Sequence, residues 1–283
     1  MDVRPFAKTN AILPRIGQGT WEFPEAGARL REAMDALRRG IALGMNHIDT
    51  AEMYGAGRVE EIVGDALAGL KRSDVFLTSK VLPSNASFKK TIAACERSLR
   101  RLRTDYLDLY LLHWPGSLPI SETMAAMEQL VDDGKVRFVG VSNFDVEELE
   151  EARTALRRAP LVCNQVLYHL RERGIEERLL PFCKTRDIAV VAYTPFGRGR
   201  FASTAAHADG VLEKVADRHG KTVRQVILNF LTRDPNVFTI PKAAHIAHVE
   251  ENAGAAGWEL NADDVRRIDE AFPIIYRGAL ATL

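Results

Sequence analysis

Three ionisable residues stand at or shortly after the ends of apolar runs of the chain, and their types suggest proton chemistry. Asp49 ends the run in "HIDTAEMYG", Lys80 ends "VFLTSK", and Tyr54 follows Asp49 after one loop turn. A lysine that points into a protein interior is heavily penalised unless a carboxylate pairs with it. Because a nearby cation favours the phenolate, an Asp49–Lys80 pair beside Tyr54 predicts a tyrosine pKa below the ordinary value of about 10.

A histidine completes this set, since His113 ends another apolar run in "LLHWP". A phenol and an imidazole together suit a carbonyl oxygen, because one gives a proton and the other orients the oxygen. Each residue alone also has a plain structural interpretation: Lys80 as a lysine that reaches solvent, and Tyr54 and His113 as packed rim residues. Polar residues at the ends of other runs favour a site, and they are Ser142, Asn143, Gln165, Tyr193 and Lys242.

The elements that must position these side chains repeat along the chain. Short β-branched runs alternate with amphipathic helices at intervals of about 30 residues, the length of βαβ units. A probable β-hairpin with a polar turn near Thr9 and Asn10 comes first, and the eight predicted strands are then "IGQGTW", "MNHIDT", "DVFLTSK", "YLDLYLLHW", "VRFVGVSNF", "LVCNQVLY", "IAVVAYTPF" and "VFTIPKA". We therefore predict an α/β fold, a (β/α)8 TIM barrel formed by residues 1–283 as one domain, with its active site at the C-terminal ends of the strands.

A doubly wound dinucleotide-binding sheet is the alternative fold. Such a sheet should carry G-x-G-x-x-G soon after its first strand, and the segment after the first predicted strand lacks it. The segment "GRGRFA", residues 197–202, has similar glycine spacing, but "TPF" separates it from the strand and polar residues follow it. We interpret this segment as a barrel loop.

Composition excludes several classes of function. The 283 residues carry 38 Lys+Arg and 38 Asp+Glu, so the net charge gives no reason to expect nucleic acid or a membrane surface as partner. No stretch approaches the roughly 18–20 apolar residues of a membrane span, and the N-terminus lacks the apolar core of a signal peptide. The scattered cysteines Cys95, Cys163 and Cys183 predict buried, reduced thiols. We expect a cytoplasmic monomer.

Metal chemistry is a further alternative, in the form of a metal-dependent barrel hydrolase. That chemistry needs several histidine and aspartate ligands that converge on one site. Of the seven histidines, only His113 stands at a credible strand end. We therefore expect no metal.

A series of motifs gives the chain a resemblance to a known family. The motifs, in chain order, are "GQGTW", "IDTAEMYG", "LTSK", "DYLDLYLLHWP", "GKVRFVGVSNF", "NQVLYH", "VVAYTPFG" and "IPKA…EEN". Over nearly its whole length the chain resembles the aldo-keto reductases. The resemblance implies a TIM barrel that binds NADPH in extended form without a Rossmann domain. It also implies hydride transfer to a carbonyl carbon by a catalytic tetrad that consists of Asp49, Tyr54, Lys80 and His113, with Tyr54 as the general acid.

The resemblance further implies a set of cofactor contacts. Polar side chains after strands five and six would hold the nicotinamide carboxamide, an aromatic residue after strand seven would lie under the ring, and the next loop would arch over the pyrophosphate. In that order the residues are Ser142, Asn143 and Gln165; Tyr193; and Pro195, Phe196, Gly197 and Arg200. The other expected cofactor contacts are Thr20, Trp21, Lys242, His248, Glu251 and Asn252.

One departure from the family pattern concerns the choice of cofactor. The eighth strand is commonly followed by Lys-Ser and then an arginine, but here Ala243 follows Lys242 and His248 stands in place of the arginine. Lys242 can still meet a 2′-phosphate as a point charge, whereas a mostly neutral imidazole replaces the guanidinium. We expect NADPH to be preferred and NADH to be rejected less firmly than in relatives that keep both residues.

The substrate side is expected to be an open aromatic mouth. The short loop "GSLPI" and the tail "IIYRGALATL" predict small walls and modest selectivity. Local stretches such as "NQVLYHLRERGIE" resemble the bacterial branch that reduces methylglyoxal and other small aldehydes. A regulatory or auxiliary NADPH-binding subunit with incidental turnover is the alternative function. The expected substrate contacts are Trp21, Phe23, Tyr54, His113 and Trp114.

Overall fold

The computed structural model describes residues 1–198 and 210–283, and the chain begins with an antiparallel hairpin. Strand β1 (Val3–Pro5) pairs with β2 (Ile12–Pro14). The Thr9 hydroxyl holds the turn, because it donates to the Phe6 carbonyl at 2.5 Å and accepts from the Ala11 amide at 3.1 Å. The predicted hairpin and its polar turn are confirmed.

Eight parallel strands form the barrel, and each is hydrogen-bonded to the next one along the chain. They are β3 (Gln18–Gly19), β4 (His47–Asp49), β5 (Phe76–Val81), β6 (Leu107–Leu112), β7 (Val136–Ser142), β8 (Leu161–Leu167), β9 (Ala189–Tyr193) and β10 (Val237–Thr239). Parallel bridges from Ile16 to Thr239 and from Gly19 to Lys242 connect the first and last strands. A side chain at Gly19 would not fit, since its Cβ would lie 2.6 Å from the Ile240 carbonyl oxygen. The predicted barrel is confirmed.

Helices cover the outside of the barrel. Those in the described residues are α1 (Gly27–Ala42), α2 (Arg58–Leu67), α3 (Phe88–Leu102), α4 (Ile120–Asp132), α5 (Val146–Ala155), α6 (Leu179–Thr185), α7 (Val211–His219), α8 (Val223–Leu231), α9 (Ile246–Ala253) and α10 (Ala262–Ala271). Helix α5 begins with a capping box, in which the Asp145 carboxylate accepts from the Glu148 amide and the Glu148 carboxylate accepts from the Asp145 amide at 3.0 Å. The Asp145 carboxylate also accepts from the Val146 amide at 2.7 Å. These caps satisfy amides that have no partner within the helix.

Apolar side chains fill the lower half of the barrel interior. Phe6, from the hairpin, packs against Phe76 and Phe238 with ring centroids 5.5 and 5.2 Å apart. His47 lies among them, fully buried, with its ring perpendicular to that of Phe76. Burial and the charge of Lys80 lower the pKa of His47 to about 3, so this imidazole is neutral. The polar residues at the C-terminal ends of the strands therefore lie directly above a layer of packed apolar side chains.

The cysteines and the helix lengths can also be compared with the sequence expectations. Cys95, Cys163 and Cys183 are buried free thiols, as predicted. Within residues 1–198 and 210–283, no helix combines the length and apolar character that crossing a bilayer requires.

Candidate active site

A buried ion pair lies at the C-terminal ends of two neighbouring strands. Asp49 is the last residue of β4, and Lys80 lies on the adjacent strand β5. The Lys80 Nζ atom donates to Asp49 Oδ2 at 2.7 Å and to the Thr50 carbonyl at 3.0 Å. Lys80 is 0% exposed and Asp49 is 2% exposed, so each charge is compensated by the other and not by water.

Tyr54 receives the third hydrogen bond of the lysine. Lys80 Nζ lies 3.0 Å from the Tyr54 hydroxyl oxygen, so the ammonium uses all three of its donors. A tight turn over Tyr54–Gly57 places the phenol there, and Gly55, Ala56 and Gly57 within it all have positive φ angles. The glycines in "YGAG" suit this left-handed backbone.

Burial sets the protonation state of Tyr54, and here the sequence expectation is wrong. Burial raises the pKa of Tyr54 and outweighs the opposing effect of Lys80, whereas the sequence predicted a lowered pKa. Burial alone would lower the pKa of Lys80, but Asp49 and Tyr54 outweigh it, so that pKa is raised. Near pH 7 the phenol therefore keeps its proton and the lysine keeps its charge.

His113 follows β6 and faces the phenol. The rings of His113 and Tyr54 meet edge to face, with centroids 5.8 Å apart. Burial, with a smaller contribution from Lys80, lowers the pKa of His113 to about 2. A neutral imidazole has one N–H to donate, which suits it to orient an oxygen atom. The structure thus brings the four residues of the predicted tetrad together.

The predicted carboxamide holders form the opposite wall. The Tyr193 hydroxyl donates to Asn143 Oδ1 at 2.7 Å, and Asn143 Nδ2 donates to the His113 carbonyl and the Ser142 hydroxyl, at 3.1 and 3.2 Å. Gln165 Nε2 donates to Asp49 Oδ1 at 2.7 Å. Hydrogen bonds therefore connect this wall directly to the tetrad.

These groups surround one cavity of about 380 Å³. Asp49, Tyr54 and His113 line one side, and Ser142, Asn143, Gln165 and Tyr193 line the other. Four further predicted residues line its rim, and these are Trp21, Trp114, Pro195 and Phe196. Lys242 borders the same cavity.

Other predicted residues do not line the cavity. Thr20 is buried and donates to the Asp49 carbonyl at 2.8 Å, so it supports the end of β4. Phe23 is buried in the core, and Lys80 lies behind Tyr54. The rest lie in the loop after β9 or on α9, and these are Gly197, His248, Glu251 and Asn252. Arg200 lies outside the described residues.

Several cavity residues were missed by the sequence analysis. Glu22 lies beside Trp21, and its charge partly offsets the burial that lowers the pKa of Lys242. The Arg198 guanidinium lies 4.8 Å from the centre of the Trp21 ring. Leu283, the last residue given, also lines the cavity, as does Met53. The "GRGRF" loop gave a signal for Arg198, and the tail was predicted as a small wall of the substrate mouth, but nothing singled out Leu283 within it.

The residues present fit a nicotinamide cofactor. The amides of Asn143 and Gln165 and the hydroxyl of Ser142 offer donors and acceptors for a carboxamide, beside the Tyr193 ring. On α9, the buried Asn252 Oδ1 has no hydrogen-bond partner among residues 1–198 and 210–283. Such a buried acceptor requires a partner. Over the same residues, no cluster of three or more histidine, cysteine or carboxylate side chains could hold a metal ion.

Known proteins are similar to this chain in sequence and in overall structure. The model of the Aldo/keto reductase family matches residues 15–272. Methylglyoxal reductase YeaE of Escherichia coli (strain K12) is 46% identical over 261 residues, which cover 92% of each protein. Glyoxal reductase of Bacillus subtilis (strain 168) is 37% identical over 91% of this chain and 88% of that protein. An aldo/keto reductase from Klebsiella pneumoniae, crystallised with NADP and acetate, has a TM-score of 0.90 and 43% identity over 99% of both chains.

Removing the charge of Asp49 should destabilise the fold, because Lys80 is fully buried and would lose its compensating carboxylate. We expect Asp49→Asn to lower the free energy of unfolding at pH 7 by about 3–5 kcal/mol, measured by denaturant titration. The control is Asp49→Asn combined with Lys80→Met, which removes both charges and should recover much of the loss. A double variant less stable than Asp49→Asn alone would contradict this account.

Proposed function

The chain belongs to the aldo/keto reductase family, and on that premise we propose that it uses NADPH to reduce the carbonyl group of small aldehydes and ketones. The observation that carries the proposal is the hydrogen-bonded chain from Asp49 through Lys80 to Tyr54, with distances of 2.7 and 3.0 Å. This chain ends at a phenol that lines the cavity beside His113. A proton donor and a neutral hydrogen-bond donor thus face the same space.

The residues of the tetrad have separate roles in the proposed reaction. When bound, the reduced nicotinamide supplies a hydride to the carbonyl carbon. Tyr54 gives its phenolic proton to the carbonyl oxygen, so the product is an alcohol. Lys80 stabilises the phenolate that remains, and Asp49 keeps Lys80 charged. His113 donates a hydrogen bond that orients the carbonyl oxygen and stabilises the charge that develops on it.

The cofactor would extend from the cavity towards α9. Ser142, Asn143 and Gln165 would hold the carboxamide, and the Tyr193 ring would support the nicotinamide. Trp21 and the backbone at Pro195, Phe196 and Gly197 would flank the pyrophosphate. Thr20 would support the end of β4 beside them. Lys242 would meet the 2′-phosphate, and the unpartnered Asn252 oxygen on α9 is an acceptor suited to the amino group of adenine. Glu251 and His248 lie on the same helix.

Cavity size supports a small substrate. The space of about 380 Å³ must hold the nicotinamide as well as the carbonyl compound. Trp21, Trp114 and Met53 offer apolar surface, so the polar groups that can position a substrate are concentrated at Tyr54 and His113. Methylglyoxal and similar short aldehydes meet these limits, and two of the relatives are named as methylglyoxal and glyoxal reductases. That the chain forms one domain and acts as a cytoplasmic monomer stays a prediction.

Tyr54→Phe should abolish most of the turnover, because it removes the proton donor and leaves the ring. We expect kcat for NADPH oxidation with methylglyoxal to fall about 10²–10⁴-fold, the usual range for general acid catalysis. The Kd for NADPH, measured by fluorescence, should not change. A matched control is Tyr110→Phe, since the buried Tyr110 hydroxyl has no hydrogen-bond partner in the described part of the chain.

Two outcomes would contradict the proposal in different ways. Full activity in Tyr54→Phe would exclude Tyr54 as the general acid. Tight NADPH binding by the wild-type protein, without turnover of methylglyoxal, 4-nitrobenzaldehyde or related carbonyl compounds, would favour a regulatory NADPH-binding subunit.

The cofactor preference should depend on Lys242. We expect the wild-type kcat/KM to be higher with NADPH than with NADH, and Lys242→Ala to lower that ratio about 10–100-fold, the value of one hydrogen bond to a charged group. His248→Arg should raise the ratio, since a guanidinium is always charged. Lys89→Ala, on the exposed surface of α3, is the control. A wild-type preference for NADH would exclude the role given to Lys242.

A further inference from the structure

Gln165 contacts the ion pair from across the barrel. Its Nε2 atom donates to Asp49 Oδ1 at 2.7 Å, while Lys80 Nζ donates to Asp49 Oδ2 at 2.7 Å. Gln165 lies on β8, which is four strands away from β4 in the order of the sheet. The bond therefore spans the barrel mouth, and each oxygen of the Asp49 carboxylate has its own donor.

This contact distinguishes Gln165 from its neighbours in the wall. The Asn143 side chain bonds to Tyr193 and Ser142 of the same wall and to the backbone carbonyl of His113, so none of its bonds reaches Asp49 or Lys80. Among the three expected carboxamide holders, only Gln165 forms a hydrogen bond with the Asp49–Lys80 pair. Gln165 thus lines the cavity and also bonds directly to Asp49, the carboxylate that stabilises the charge of Lys80.

The orientation of the amide is forced by chemistry. A carboxylate only accepts hydrogen bonds, so the nitrogen of the Gln165 amide must face Asp49. Gln165 and Asp49 are each 2% exposed, so water does not replace this donor. Without it, Asp49 Oδ1 would be a buried acceptor lacking a partner, and the carboxylate would be free to turn away from Lys80.

We propose that Gln165 is a positioning residue, which holds the Asp49 carboxylate in the orientation that aims Lys80 at Tyr54. This inference rests on the proposed reductase function and deepens it. The amide nitrogen is used by Asp49, so its oxygen and second N–H remain for the cavity. The Gln165 side chain therefore connects the expected carboxamide wall to the proton donor Tyr54, through Asp49 and Lys80.

The first test needs no cofactor. Gln165→Leu and Asp49→Asn form a double-mutant cycle, measured by denaturant unfolding of the cofactor-free protein. We expect the two changes to be coupled by about tenfold in the unfolding equilibrium constant, a size typical of residues in direct contact. Ser142→Ala changes the same wall without touching Asp49. Its effect on the free energy of unfolding should therefore be additive with that of Asp49→Asn. Additive effects of Gln165→Leu and Asp49→Asn would overturn the proposal.

The second test separates positioning from cofactor binding. A residue that only holds the carboxamide would raise the Kd for NADPH and leave kcat at saturation unchanged. A positioning residue should lower kcat at saturating NADPH and methylglyoxal, and we expect at least a tenfold loss in Gln165→Leu. An unchanged kcat with a raised Kd would overturn the proposal.

Gln165→Glu supplies a pH signature that a structural defect would not produce. The introduced carboxyl keeps the length of the side chain, but it can donate to Asp49 only when protonated. We therefore expect kcat of this variant to rise as the pH falls, while the wild type shows no such rise. The titratable groups around Asp49 that share this environment are Lys80, Tyr54, His113, His47, Cys163 and Tyr193. A pH profile of Gln165→Glu parallel to that of the wild type would overturn the proposal.

The two hypotheses fail in different experiments. If the wild-type protein does not reduce methylglyoxal or related carbonyl compounds, the proposed function fails, and the unfolding cycle still decides whether Gln165 holds Asp49. If the wild type is active and Gln165→Leu changes only the Kd for NADPH, the positioning role fails and the reductase function stands.

Discussion

The positive charge of Lys80 inside the barrel is the constraint on which the rest of the site depends. A buried ammonium is tolerated only with a carboxylate and a full set of acceptors, and Asp49, Thr50 and Tyr54 provide them. Asp49 and Lys80 come from adjacent parallel strands, whose C-terminal ends necessarily meet at one rim. The ion pair therefore depends on the pairing of these two strands in the barrel. The same pairing places Lys80 next to Tyr54.

Burial then decides which groups carry protons. The layer of packed apolar side chains around Phe6 and His47 excludes water from below, and the aromatic rim narrows the cavity from above. In this environment, burial raises the pKa of Tyr54 and lowers that of His113 to about 2. The result is a protonated phenol next to a neutral imidazole, which is the combination that carbonyl reduction requires near pH 7.

The sequence predicts what is local and periodic, and it misses what depends on the path of the chain. Strand spacing predicted the barrel, and the polar residues at the strand ends, together with the family resemblance, predicted the tetrad of Asp49, Tyr54, Lys80 and His113. The direction of the Tyr54 pKa was wrong, because the depth of burial is a property of the folded chain. The Gln165–Asp49 bond joins residues 116 positions apart across the barrel mouth, and Leu283 reaches the cavity from the tail. No motif or spacing marks the Gln165–Asp49 bond, and the predicted tail wall did not identify Leu283 as the residue that lines the cavity.

The central claim is that Asp49 keeps Lys80 charged in the barrel interior, and NMR of the Lys80 side-chain nitrogen tests it most directly. In protein with ¹⁵N-labelled lysine, the Nζ signal that disappears in Lys80→Met belongs to Lys80, and its shift can be followed against pH. We predict that Lys80 stays protonated beyond the ordinary lysine pKa of about 10.4, because Asp49 and Tyr54 raise its pKa. Loss of the proton below pH 9 in the folded wild-type protein would contradict the account.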